Sequence, residues 1–146
     1  MTGLPGVVAV TADEASGAPE VAWGDSFFTY DPGGDTPSRM PFATIATKDY
    51  AGFDTASHLD RPGVFRLNVA VGRTRFEELA GYPPAEHAGR SAGVDHTAID
   101  ELIPHPAYAT WSWVAILDPG EATGALTCSL LTDAHGRAAR RHRRRV

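Results

Sequence analysis

Residues Val64 to Val71 alternate by side-chain type. Phe65, Leu67, Val69 and Val71 fall on one side of an extended chain, and Val64, Arg66, Asn68 and Ala70 on the other. A two-residue period of this kind describes a strand with one face buried. Pro62-Gly63 sets a turn before it. Four further segments read as strands on their apolar, β-branched or aromatic content: Leu4–Val10, Ser26–Tyr30, Phe42–Thr47 and Trp111–Leu117. Turn sequences separate them, notably Asp31-Pro32-Gly33-Gly34-Asp35 and Asp118-Pro119-Gly120.

Helical signals come mostly late. Thr74 and Glu77 fit a capping box for a short helix ending at Ala80, before Gly81 and Pro83-Pro84. A second short helix is expected over Thr97–Ile103, stopped by Pro104. From Leu126 to about Arg143, Leu126, Leu130, Leu131, Ala134 and Ala138 make one apolar stripe. Strands clustered early and helices late argue for an α+β fold. The expected form is an antiparallel meander of about five strands, with helices packed on one face. With 146 residues the chain suits a single domain, read as 1–136 followed by a basic end, 137–146.

Charge divides the chain at that boundary. The net charge is -5, yet six of the 13 basic residues lie between Arg137 and Arg145. The first 136 residues hold all 18 acidic side chains against seven basic ones. An acidic body repels phosphate backbones, so nucleic acid is expected only through Arg137–Arg145. That cluster also suits a solvated helix end, where positive charge matches the helix dipole. The single cysteine, Cys128, allows no internal disulfide, and beside the apolar stripe it reads as a small buried hydrophobe. The sequence shows neither a secretory leader nor an apolar run long enough for a membrane span, so a cytoplasmic location is expected.

No motif announces chemistry. The six histidines follow no metal-binding spacing, and His58 with Asp60, or Asp95, His96 and Asp100, read as scattered surface groups. Gly33-Gly34 leads to a strand and not a helix, so it offers no phosphate cradle. Neither a metal nor a cofactor is expected. The densest polar group is Trp23, Asp25, Lys48, Asp49, Asp54, Arg61, Arg66 and Asn68. It reads either as an ion-pair network pinning residues 48–63 or as a site for a ligand carboxylate. His105, held between Pro104 and Pro106 near Tyr108 and Trp111, reads either as a packed histidine or as a proton shuttle.

Three blocks carry a resemblance: Val21–Phe28, Arg39–Tyr50 and Gly52–Asn68, extended by His105-Pro106, Tyr108, Trp113-Val114 and Asp118-Pro119. Together they resemble an actinobacterial domain of unknown function, family 6194, over nearly the whole chain. More distantly, the order of a P-G-V strand, a meander, a W-V strand and a final helix is similar to the MmcQ/YjbR-like proteins. That likeness implies a CyaY-like α+β shape, although only three residues precede Leu4, so the helix that often comes before the P-G-V strand is expected to be missing or very short. Neither resemblance implies an activity, since fold alone assigns none. Taken together, the sequence suggests a non-catalytic binding module for a small anionic ligand. The alternatives are a nucleic-acid or protein interaction domain using the arginine cluster, or a small enzyme of unknown reaction with His105 or Asp25 as base.

Overall fold

The computed structural model describes residues 5–15, 20, 23–33, 40–50, 54–90 and 93–145, with the side chains of 143–145 left aside. Its strands are β1 (Val7–Thr11), β2 (Ser26–Tyr30), β3 (Ala43–Ala46), β4 (Arg66–Ala70), β5 (Leu102–Pro104) and β6 (Trp113–Leu117). Two α-helices, α1 (Arg73–Ala80) and α2 (Gly124–Arg145), accompany them. Short 3₁₀ turns occupy Pro84–Gly89 and Ala109–Trp111. The strands form one sheet in the order β1-β2-β3-β4-β6-β5, and every neighbouring pair is antiparallel. The α+β meander read from the sequence is therefore present, with six strands among the described residues where about five were expected.

Both helices pack on one face. Leu67 and Val69 of β4 lie opposite Ile116 and Val114 of β6, and this face meets Leu130 and Ala134 of α2 and Phe76 of α1. Leu126, Leu131 and Ala138 pack around the edge of the same core, so the stripe read from α2 is its buried face. A smaller apolar cluster of Ala46, Leu59, Ile103, Ala115 and Leu117 sits on the opposite face. Leu59 brings the irregular segment after β3 against the sheet there, and Val64 and Val94 flank it.

Several local expectations are corrected. Residues 97–103 do not form a helix. Asp100 takes a positive φ of 55°, and its carboxylate accepts from the backbone N–H groups of Gly120, Ala122 and Thr123. The chain is thus tied to the loop before α2 and continues as β5. The capping box does not form either: α1 begins at Arg73 behind Gly72, with no side-chain cap, which leaves Thr74 inside the helix. Phe65 lies just before β4 and is 37% exposed instead of joining the core. Cys128 is exposed, because two residues along a helix place it about 200° from both Leu126 and Leu130. The first strand starts at Val7, after a Pro5-Gly6 turn, and Leu4 lies outside the described residues, as does the second half of the Asp31–Asp35 turn.

Candidate functional site

β4 carries Arg66 and Asn68 on the face away from the main core. Arg66 is 1% exposed, and a buried charge demands a partner. Asp54, from the segment after β3, supplies it as a two-point fork: Nη1 donates to Oδ1 at 3.0 Å and Nη2 to Oδ2 at 2.5 Å. Nη1 also donates to the Ser57 hydroxyl and Nε to Asn68 Oδ1, while Asn68 Nδ2 donates to Thr44. Burial opposes ionisation of Asp54, but the hydrogen bonds and charge of Arg66 outweigh it and hold the carboxyl below its usual range. The network expected to pin the irregular segment is thus present around Arg66, whose fork is filled by Asp54.

Asp25 sits at the end of the chain leading into β2 and is also buried. It accepts from Thr47 N–H at 2.7 Å, from the Thr47 hydroxyl at 2.9 Å and from the Tyr50 hydroxyl. Burial, reinforced by the bond to Asp25, pushes the Tyr50 phenol up. His105 is 2% exposed and follows β5. Its Nδ1 accepts from the backbone N–H groups of Ala107 at 2.9 Å and Tyr108 at 3.0 Å. A neutral imidazole has one N–H, so these bonds assign the proton to Nε2. Burial, then the nearby Arg66 charge, lowers the His105 pKa to about 3. The ring is therefore neutral near pH 7 and presents a donor, with no lone pair free to act as a base.

Asp25, Asp54, Arg66, Asn68 and His105 all line one cavity of about 1010 Å³ on this face of the sheet. Its walls include Phe27, Met40, Tyr50, Tyr108, Trp111 and Trp113, and Arg73, Arg137 and Arg141 also line it. None of these three arginines has an acidic partner among the described residues. Burial and the charges of Arg141 and Arg140 lower the Arg137 pKa, as expected for neighbouring cations. Trp111 and Met40 are 76% and 74% exposed.

The remaining residues of the polar group lie elsewhere. Lys48 Nζ donates to the Glu20 carbonyl, and Asp49 accepts from Leu59 N–H. Arg61 donates to the carbonyls of His58, Ser57 and Thr97, stitching two loops together. Half-buried Trp23 donates its backbone N–H to Glu20. Tyr108 and Trp111 were expected near His105, whereas Phe27, Trp113 and Arg73 were not, and Arg137 and Arg141 were expected in a basic end. The strand expected from Trp111 begins only at Trp113, because Ala109–Trp111 form a 3₁₀ turn and Ser112 takes a left-handed φ of 67°.

No group of three or more histidine, cysteine, aspartate or glutamate side chains able to hold a metal occurs among the described residues. No helix among them is long and apolar enough to cross a membrane. A family model matches residues 1–146. The chain belongs to a family of unknown function, DUF6194. No curated protein and no solved structure matches it.

Proposed function

We propose that this DUF6194 chain is a non-catalytic binding module for a small anionic ligand, held in the cavity on the open face of the sheet. The observation that carries the reading is the convergence of Arg73, Arg137 and Arg141 on one cavity without an acidic partner among the described residues. Guanidinium groups brought together repel one another, and a carboxylate or phosphate relieves that repulsion through charge-assisted hydrogen bonds. The bases an enzymatic reading would use are engaged: His105 Nδ1 accepts two N–H groups, and Asp25 accepts three hydrogen bonds. An exposed free Cys128 suits the reducing cytoplasm, where we place the protein. The actinobacterial source and the distant MmcQ/YjbR-like, CyaY-like kinship belong to this proposal too. The meander followed by a final helix supports the kinship.

The test is thermal stabilisation of the wild type by a panel of small carboxylates and phosphates, repeated with Arg137→Ala/Arg141→Ala. A ligand at a hundred times its Kd stabilises by about 2.7 kcal/mol. The double variant is expected to lose that gain, and full stabilisation of the variant rejects the reading. Arg66→Ala is the wrong probe, since it strands Asp54 inside the protein.

A second reading, nucleic-acid or acidic-protein binding through Arg137–Arg145, draws on the exposure of Arg140 and Arg141 at the end of α2. It requires binding that falls steeply with salt and is lost when residues 137–146 are deleted.

A further inference from the structure

We infer that the cavity takes a two-ended ligand: a flat aromatic ring with a hydrogen-bond acceptor at one end and a phosphate or carboxylate at the other. This rests on the anionic-ligand reading above and adds the chemical class.

The acceptor end follows from counting protons. Arg66 has five N–H groups, and four are used by Asn68, Ser57 and the two oxygens of Asp54. The fifth, on Nη2, meets His105 Nε2 at 3.4 Å. That nitrogen carries its own proton, since Nδ1 is engaged by two backbone donors. Two buried N–H groups therefore face each other where Arg66 and His105 line the cavity, without an acceptor among the described residues. Leaving buried donors unmatched is costly, and a ligand oxygen or ring nitrogen accepts from both.

The anionic end follows from the arginines and from Gly72. A Cβ at Gly72 would lie 2.5 Å from the Arg137 Cζ, so the absent side chain is what admits that guanidinium. The uncapped start of α1 adds its positive dipole end at the same place. The two ends are well separated: Arg66 to Ala70 spans about 13 Å of strand, and Gly72 lies two residues further. A bare anion reaches only one end. The Asp25 carboxylate, with no cationic partner among the described residues, repels negative charge at the acceptor end, which orients the ligand with its anion towards the arginines.

Between the ends, Trp111 at 76% exposure and Trp113 line the cavity, and an aromatic ring would cover them. Stacking on these rings also gives a direct fluorescence readout.

The experiment is a titration of the wild type, Trp111→Ala and Arg141→Ala, both substitutions at exposed residues, followed by tryptophan fluorescence and calorimetry. The probes are adenosine monophosphate, a quinoline carboxylate whose ring nitrogen is an acceptor, adenosine and inorganic phosphate. At least one of the two aromatic anions is expected to bind about tenfold or more tighter than adenosine or phosphate, with each variant losing about tenfold for that anion. Which of the two wins separates a nucleotide from an aromatic acid. If inorganic phosphate binds as tightly as the tighter of the two aromatic anions and is lost in Arg141→Ala, the two-ended ligand is overturned while anion binding stands. If no anion binds, both readings fall.

Discussion

Arg66 and Asp54 meet as a buried fork, with each carboxylate oxygen taking one guanidinium nitrogen, at 3.0 and 2.5 Å. The pair ties the segment after β3 to the centre of the sheet. Removing one member leaves the other charged and dry, which costs about 3–5 kcal/mol. Arg66→Ala and Asp54→Ala are each expected to lower stability to urea by that order. The double variant Arg66→Ala/Asp54→Ala is expected to lose less than the sum, and additive losses in this cycle would show that the two groups are not coupled.

His105 imposes a pH dependence. Its folded pKa, about 3, lies below the unfolded value of about 6.5. Between those values the unfolded chain binds the extra proton, so stability is full above about pH 6.5 and falls as pH drops towards 3. The limiting slope is about 1.4 kcal/mol per pH unit. Denaturation curves between pH 4 and pH 8 check this, and His105→Gln is expected to flatten the profile. An unchanged slope in that variant would assign the effect to another group.

Asp100 acts at lower pH. The Thr123 hydroxyl, with the N–H groups of Gly120 and Ala122, holds its carboxyl down at about 2. Its contribution is present above the ordinary aspartate value of about 3.9 and is lost as pH falls towards 2. Asp100→Asn is expected to destabilise the protein at pH 7 and to reduce the acid dependence below pH 4, read by thermal melts across that range.

Gly72 has φ 86° and ψ 162°, a backbone region open essentially only to glycine. Gly72→Ala is expected to cost about 1–3 kcal/mol in stability, and to displace Arg137 from the start of α1. A melting temperature equal to wild type would mean that the chain relaxes there without strain.

Cys128 on the outer side of α2 is expected to react fully with a thiol reagent in the folded protein, without denaturant. Protection until unfolding would contradict the helix orientation.

Much of the architecture is legible in local pattern. The alternation in β4 separates Leu67 and Val69 from Arg66 and Asn68, and those two sets do occupy opposite faces. The stripe through Leu130 and Ala134 names the buried side of α2. What escaped local pattern depends on distant partners. Residues 97–103 look helical until Asp100 is seen bonded to the loop twenty residues ahead. Lys48 and Arg61 carry the right charge for a ligand but spend it on backbone carbonyls of neighbouring loops. Arg137 reads as the start of a solvated tail, although α2 runs on through it and turns it into the cavity. Charge type is visible in a sequence, whereas the acceptor each charge meets is a tertiary fact.

The core packs on one face of the sheet, while Phe27, Asn68 and Trp113 line the cavity from the other, and the lining runs past the strand ends to Arg73 of α1 and Arg137 and Arg141 of α2. Side chains such as Phe27 and Trp113 can therefore be replaced without disturbing the packing under α2. That division lets the wall of the cavity be rebuilt without emptying the core that α2 covers.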